Sequence, residues 1–315
     1  MNDKRIEWID AIRGFGIFLV TLGHLNPWLP LETHIYSFHM ALFFFISGFL
    51  FKNKEPFKQF MIKRVKILLI PFVFWDLLSS IISLAMGQNL KKAISVFFVY
   101  NGELSWNAPI WFLLILFFAE IIYAVILKIN DSKYISLLVM LCSAVLWVLF
   151  GSATITFKLN LVPVALFYLS FGDLIHRLFE KKSLTKMTAS ITALIFAALS
   201  VLFGAVLNSR ISYTGGDFGN TFYSMIAGIA GTMTYYLIFK YLIGGNKLLE
   251  MLGKNSMIIM ASQYFFFTFF DYFSTRFLKI SIWHSRGTIK AFITSIVTMA
   301  LITAIASLIK YLFRN

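Results

Sequence analysis

The chain has little of what builds soluble domains. Only 13% of its 315 residues are charged, whereas a soluble domain is about a quarter charged, so a sizeable soluble domain is excluded. The single cysteine, Cys142, cannot form an intramolecular disulfide. With six prolines and no Gly/Ser-rich run, nothing marks a linker. We therefore predict one membrane-embedded domain over residues 1–315.

Two kinds of binding motif are also missing from the sequence. It has neither a phosphate-binding loop of the Walker type nor a dinucleotide-binding fingerprint. No cluster of His, Cys and Asp has the spacing typical of metal ligands. The sequence therefore predicts neither a P-loop nucleotide enzyme nor a bound metal.

Apolar residues are abundant instead. They make up 59% of the chain, and the mean hydropathy is +0.80. As a helix, about 20 apolar residues cross ~30 Å of hydrocarbon, and ten stretches approach that length. We predict an all-α polytopic membrane protein with helices at 9–29, 35–52, 67–86, 108–128, 134–150, 159–178, 188–207, 221–243, 256–275 and 288–312.

Lysine and arginine predict the orientation, because cytoplasmic loops carry an excess of both. With the amino terminus inside, the inner segments hold 19 of the 28 basic residues and the outer segments hold 8. This asymmetry predicts a multi-pass plasma-membrane protein with both termini in the cytoplasm. The net charge of +14 is scattered along short loops, which favours contact with membrane lipids over a nucleic-acid partner.

The first predicted span carries three ionisable residues, Asp10, Arg13 and His24. Asp10 and Arg13 are three residues apart and can pair on one helix. Arg13 and His24 are separated by eleven steps of about 100°, which places them on one helix face, roughly 16 Å apart along the axis. Because ionisable groups inside lipid are costly, these residues are candidates for function.

Two more histidines follow, His34 in the predicted outer loop and His39 one turn into the second span. A neutral imidazole can take a proton from an alcohol and return it later. The alternative is that neighbouring helices satisfy these rings structurally. Three histidines within sixteen residues, together with Arg13, favour the catalytic interpretation.

These residues belong to a longer pattern. D-x-x-R-G comes first, a histidine follows the arginine after ten intervening residues, and F-F-F-I-S-G-F-L covers 43–50. Further matches are the basic loop before Pro71, the start of the fourth span at 108–113, and the segment at 252–256. In this order the pattern resembles the acyltransferase-3 family of integral membrane O-acyltransferases, and in particular its fucose 4-O-acetylase-like branch.

The resemblance implies ten or so helices and an acyl-CoA donor, usually acetyl-CoA, that arrives from the cytoplasm. It implies acyl transfer to a hydroxyl of a sugar or glycan, with Arg13 and His24 as the essential pair. Two positions depart from the family pattern. Lys63 and Lys66 stand where the family often has Arg-x-x-Arg, and Gln263 stands where a histidine is common.

The inner loop before the third span contains the basic cluster Lys63, Arg64 and Lys66. Basic side chains hold phosphates by charge-assisted hydrogen bonds, so this cluster suits CoA. The alternative is an ordinary positive-inside signal. Arg13 either holds the pyrophosphate or pantetheine end of the donor or pairs structurally with Asp10.

Glu120 lies near the middle of the fourth span. We predict that it either orients His24, as the acid of a catalytic triad does, or makes a hydrogen bond between packed helices. No role is assigned to the acidic residues Asp76, Asp173 and Asp271.

Four residues are predicted to contact the acceptor: Asp10, His39, Ser47 and Trp111. Trp111 offers an aromatic face of the kind that stacks on sugar rings. Ser47 is a conceivable nucleophile, although small Ser-Gly pairs usually serve helix packing. The Gly-rich segment 213–219 either contacts an acceptor or forms a plain outer turn.

The interpretation that fits best is an acyl-CoA-dependent membrane O-acetyltransferase, with His24 as general base and Arg13 placing the donor. A proton-coupled transporter or flippase of a glycan or small anion would also use buried Arg, His and carboxylates. Against it, the sequence contains no inverted repeat and no pair of broken helices. A non-catalytic scaffold fits the placement of His24 and Arg13 least. The oligomeric state is left open, with a homodimer as one option.

Overall fold

The computed structural model describes residues 6–52, 54–85, 87, 106–179 and 183–312. In that part of the chain the regular structure is helical, apart from one isolated bridge between Ser212 and Asp217. The orientation also drew on basic residues that lie outside the described ones: Lys4, Arg5, Lys91, Lys92, Lys181, Lys182 and Arg314. The side of the membrane on which each loop lies therefore stays a prediction.

Helices occupy all ten stretches predicted from the sequence. Two of them contain a π-helical segment after their α-helix, at Leu202–Val206 and at Ile238–Ile243, and a third is joined by one at Val65–Leu69. The α-helices are α1 Glu7–Gly23, α2 Leu29–Phe49, α3 Phe57–Arg64, α4 Ile70–Ala85, α5 Trp111–Ile129, α6 Lys133–Phe150, α7 Val162–Phe179, α8 Lys186–Val201, α9 Thr221–Leu237, α10 Lys247–Lys254, α11 Ser256–Leu278 and α12 Thr288–Leu312.

Seven helical stretches among the described residues are long and apolar enough to cross a membrane. The prediction of a polytopic all-α membrane protein is confirmed. The three remaining predicted spans lie on α1, α2 and α11. The seven stretches are Phe57–Ala85, Ala108–Ile129, Lys133–Phe150, Thr156–Phe179, Lys186–Val206, Thr221–Ile243 and Thr288–Leu312.

The predicted end of the first span was wrong. We expected one helix over 9–29, but α1 ends at Gly23 with His24 as its C-cap, and α2 begins at Leu29. The break falls at Asn26, whose φ of 51° is left-handed, a conformation that Asn tolerates better than most residues. Pro27 follows, and a proline disfavours helical backbone in the residue before it. His24 therefore lies at a helix end beside a turn.

The described residues fall into two compact units. The first unit is Met1–Met40, Leu184–Arg210 and Phe222–Asn315, and the second unit is Ala41–Ser183 and Ile211–Thr221. One of the boundaries between the units passes through α2, between residues 40 and 41. The predicted single domain over 1–315 stays a prediction.

In the first unit, α1 and the short helix α10 meet backbone to backbone. A Cβ added to Gly14 would lie 1.9 Å from the carbonyl oxygen of Leu249, and one added to Gly253 would lie 1.9 Å from that of Asp10. Small residues permit such close approach between helices in membranes. The Asp10–Arg13 turn of α1 is therefore fixed against α10.

The second half of α2 makes the same kind of contact in the second unit. A Cβ on Gly48 would lie 1.8 Å from the carbonyl oxygen of Leu169 on α7, and one on Gly172 would lie 2.1 Å from that of Phe45. Gly48 of the predicted Ser-Gly pair therefore serves helix packing.

Candidate active site

His24, at the end of α1, is held by two tyrosine hydroxyls. The Tyr36 hydroxyl on α2 lies 3.0 Å from Nδ1 of the imidazole, and the Tyr264 hydroxyl on α11 lies 2.9 Å from the same nitrogen. Both phenol rings stand edge-on to the imidazole, at 89° and 88°. Three helices of the first unit therefore meet at one ring nitrogen.

This arrangement leaves the other imidazole nitrogen available. Among the described residues, none hydrogen-bonds Nε2 of His24. A neutral imidazole carries one proton, so one nitrogen donates and the other accepts. When Nδ1–H donates to a phenolic oxygen, Nε2 presents a lone pair. When a phenol donates to Nδ1, Nε2–H is the donor. The ring can therefore take up or deliver a proton at Nε2 while Nδ1 stays held.

The loop between α11 and α12 fixes the backbone around His24. Nε1–H of Trp283 donates to the carbonyl oxygen of His24 over 3.2 Å, and the side-chain amide of Asn26 donates to the carbonyl of Trp283 over 2.8 Å. Asp271 accepts from the backbone N–H of Trp283 at 2.9 Å and from the hydroxyl of Ser281 at 2.6 Å. Asp271, which had no assigned role, therefore supports the residue that anchors His24.

A second imidazole stands next to Tyr36. The rings of Tyr36 and His39 lie 5.0 Å apart, centroid to centroid. Nδ1 of His39 lies 2.8 Å from the carbonyl oxygen of Ile35, and a carbonyl can only accept, so Nδ1 carries a hydrogen. In the neutral ring the lone pair is then on Nε2.

Arg210 brings a positive charge to the same place. Its guanidinium lies 3.9 Å above the ring of Tyr36, a cation–π contact. Its Nε lies 2.5 Å from the carboxylate of Glu32, which Arg286 also contacts at 2.8 Å. Glu32 is buried, so one carboxylate holds two arginines beside the histidines.

The predicted pair of Arg13 and Asp10 is present on α1. Nη1 of Arg13 lies 3.7 Å from Oδ1 of Asp10. Asp10 is buried while the Arg13 side chain is about one-third exposed, at 34%. Arg13 is therefore reachable from outside the helix pair formed by α1 and α10.

Glu120 faces Arg64 in the second unit. Oε2 of Glu120 and Nε of Arg64 are 2.8 Å apart, but the N–H does not point along that line, so the contact is an ion pair rather than a directed hydrogen bond. The guanidinium also lies 4.8 Å over the ring of Phe60. Lys63 pairs with Glu55 at 3.0 Å, and Lys66 is exposed. The roles predicted for Glu120 and for this basic loop stay predictions.

Trp111 and the Gly-rich segment lie together in the second unit. The indole is buried and stacks on Tyr213 at 19° and 6.0 Å, and the bridge between Ser212 and Asp217 closes this segment. Ser47 is half-buried. The acceptor-binding roles predicted for Trp111 and Ser47 stay predictions.

Asp173 has three partners within the second unit. It accepts hydrogen bonds from Tyr123 and Ser136, each at 2.6 Å, and from Arg177 at 2.8 Å. Gln263, at the position where the family commonly has histidine, is buried and donates to the carbonyl of Met260 at 3.3 Å. No group of three His, Cys, Asp or Glu residues able to hold a metal ion occurs in the described part of the chain.

Sequence reasoning missed Tyr36, Tyr264, Trp283 and Arg210 as parts of the site. One signal was available, because Glu32, Tyr36 and His39 are spaced i, i+4 and i+7 and so share one face of a helix. No such signal existed for Tyr264, which is 240 residues from His24. That Tyr264 contacts His24 could be found only from the fold.

We expect the substitution Arg64→Ala to destabilise the second unit by about 3–5 kcal/mol, because it removes the positive charge that faces the buried carboxylate of Glu120. The measurement is the thermal midpoint of the purified protein in detergent. Lys66→Ala, an exposed neighbour, is the matched control. The double variant Arg64→Ala with Glu120→Gln should recover part of the loss. Equal midpoints for Arg64→Ala and Lys66→Ala would contradict the expectation.

Comparison with known proteins gives the chain its family. Residues 6–312 match the family described as "Acyltransferase domain". The chain is also 33% identical over 126 residues to nodulation protein NolL of Sinorhizobium fredii (strain NBRC 101917 / NGR234), a match that covers 36% of this chain and 34% of that protein. The chain thus spans about a third of the length of this curated relative. No solved structure matches it. Because the family match runs over nearly the whole length, the chain, with seven described helical stretches long and apolar enough to cross a membrane, belongs to the acyltransferase-3 family.

Proposed function

We propose that this acyltransferase moves an acyl group, with acetyl as the expected group, from cytoplasmic acyl-CoA to a hydroxyl of a sugar or cell-surface glycan. It would do so in the plasma membrane, with both termini in the cytoplasm. The observation that carries the proposal is the setting of His24, whose Nδ1 is held by two hydroxyls while no described residue binds Nε2. The family assignment favours this function over a transporter.

In this proposal Nε2 of His24 is the general base. It accepts the proton of the acceptor hydroxyl as the oxygen attacks the thioester carbonyl. The new C–O bond forms, the C–S bond breaks, and the proton passes from His24 to the departing CoA thiolate. Nδ1–H donates to a phenolic oxygen throughout, which keeps the ring in the required tautomer as the acid of a catalytic triad does.

The neighbouring groups have supporting roles. His39, with its lone pair on Nε2, would bind the acceptor hydroxyl or a second hydroxyl of the same sugar. Arg13, partly exposed on α1, positions the donor, and Asp10 holds its guanidinium. Arg210 and Glu32 fix the position of Tyr36.

Two experiments test the function itself. Purified protein is incubated with acetyl-CoA and a panel of sugars, and release of free CoA is followed together with the mass of the sugar product. Surface glycans from cells with and without the protein are compared by mass spectrometry. Absence of both CoA release and any acetylated product would overturn the proposal.

We expect His24→Ala to lower the rate of transfer by about 10²–10⁴-fold, the usual cost of losing a general base. The control is His34→Ala on α2, which removes an imidazole that contacts neither tyrosine of the site in the described structure. The measurement is the initial rate with purified protein at saturating donor. A His24→Ala rate above about a third of wild type would rule out the assigned role.

We expect Tyr36→Phe and Tyr264→Phe each to lower kcat by about 3- to 10-fold, the worth of one hydrogen bond. Because either phenol can hold Nδ1, the double variant should lose about 100-fold, more than one bond explains. Tyr272→Phe, exposed on the same helix α11, is the control. The pH–rate profile should shift in the double variant, which a purely packing role would not produce. A double variant within twofold of wild type is the contrary result.

We expect Arg13→Lys to weaken binding of acetyl-CoA, because an ammonium replaces a planar guanidinium fork poorly. The Kd for CoA, measured by calorimetry, should rise by about tenfold, the equivalent of one charge-assisted hydrogen bond. The exposed Lys133→Gln in the second unit serves as control. An unchanged Kd together with unchanged activity would show that Arg13 has a structural role and takes no part in donor binding.

A further inference from the structure

A polar cavity opens beside α10 in the first unit. Its volume is about 400 Å³, within the range of about 300–1,000 Å³ in which small-molecule sites fall. Three of its lining residues are lysines and one is a carboxylate. The lining is Lys247, Glu250, Met251, Lys254, Asn255 and Lys310.

The internal contacts of the cavity leave an excess of positive charge. Nζ of Lys254 lies 3.5 Å from the carboxylate of Glu250, and Nζ of Lys310 donates to the side-chain oxygen of Asn255 over 3.1 Å. No described residue pairs with Lys247. Three ammonium groups against one carboxylate give a net charge of about +2, and an ammonium has three donors. This lining suits a ligand with more than one negative charge.

The cavity is also fixed relative to Arg13. Its wall is helix α10, whose Gly253 lies against the backbone of Asp10 and whose Leu249 lies against Gly14. The turn that carries Asp10 and Arg13 therefore packs on the helix that supplies the lysines of the cavity. All three lysines belong to segments predicted to be cytoplasmic.

We propose that this cavity binds the phosphate groups at the nucleotide end of the acyl-CoA donor. The inference rests on the proposed function and adds the place where the donor's charge is held. The lysines act as point charges toward the pyrophosphate and the ribose phosphate of CoA. The pantetheine arm then extends past Arg13 along α1 toward His24.

The basic loop at 63–66 is the competing place for the phosphates. There, Arg64 already faces Glu120 and Lys63 already pairs with Glu55, so two of its three charges have carboxylate partners within the chain. In the cavity only one carboxylate stands against three lysines. The surplus of charge favours the cavity.

A phosphate could also come from an anionic lipid headgroup at the membrane surface, so the experiment has to separate the two sources. The full chain is reconstituted in bilayer discs of zwitterionic lipid, with and without phosphatidylglycerol. Binding of CoA, of dephospho-CoA and of pantetheine is then measured. Pantetheine has the thiol arm but no phosphate.

We expect Lys247→Gln, Lys254→Gln and Lys310→Gln each to raise the Kd for CoA by about tenfold, with a smaller rise for dephospho-CoA and none for pantetheine. Glu250→Gln should act in the opposite direction and lower the Kd for CoA, because it removes the one negative charge. Lys133→Gln is the matched control, and Lys63→Gln with Lys66→Gln tests the competing loop. Thermal midpoints confirm that each variant is folded.

Each other outcome overturns the proposal. If the cavity variants bind CoA as wild type does, the phosphates are held elsewhere, and a rise of Kd in the loop variants identifies the loop. If the cavity variants weaken pantetheine and CoA equally, the lysines act on the fold. If they change CoA binding only in discs with phosphatidylglycerol, the cavity is a lipid site. If the cavity variants bind CoA as wild type does and the wild-type protein still transfers acyl groups, only the cavity proposal fails and the proposed function stands. If the wild-type protein neither binds CoA nor releases it from acetyl-CoA, the cavity proposal and the proposed function both fail.

Discussion

A polar group that lies among lipid-facing helices has no water to bind, so its partner has to come from the chain. Most buried ionisable side chains described here follow that constraint with charged or hydrogen-bonded partners. Asp173 accepts from Tyr123, Ser136 and Arg177, and Glu32 holds Arg210 and Arg286. His24 differs from them. Its Nδ1 contacts two hydroxyls and its Nε2 has no hydrogen-bond partner among the described residues, which is the asymmetry that a proton-transferring ring needs.

The sequence predicts the helices well because membrane crossing imposes one strong requirement, a long apolar run. It failed at the first turn, where Asn26 and Pro27 end an apolar stretch that hydrophobicity alone would continue to residue 29. At this point the apolar run continues beyond the residue at which the helix ends. Backbone geometry, rather than hydropathy, decides where His24 lies.

The site divides in the same way between what is local and what is distant. The pair Asp10 and Arg13 follows from helical spacing, and the face formed by Glu32, Tyr36 and His39 could have been found by the same rule. Tyr264, Trp283 and Arg210 reach the site only because separate helices pack together. The prediction of ion pairs has a similar limit, because the sequence shows that Arg64 is basic but does not show that it pairs with Glu120.

The hydrogen bonds that hold His24 also set an order of assembly. His24 is made with the first helix, while Tyr264 and Trp283 follow 240 and 259 residues later. At a synthesis rate of about 5–20 residues per second, the histidine waits roughly 12–50 s for them. During that interval the nascent chain already contains its proposed base but lacks the Tyr264 hydroxyl and the Trp283 indole that hold His24 in the folded protein. If His24 has the proposed role, its proton transfer must therefore wait until α11 and the loop after it have been made and have packed against α1.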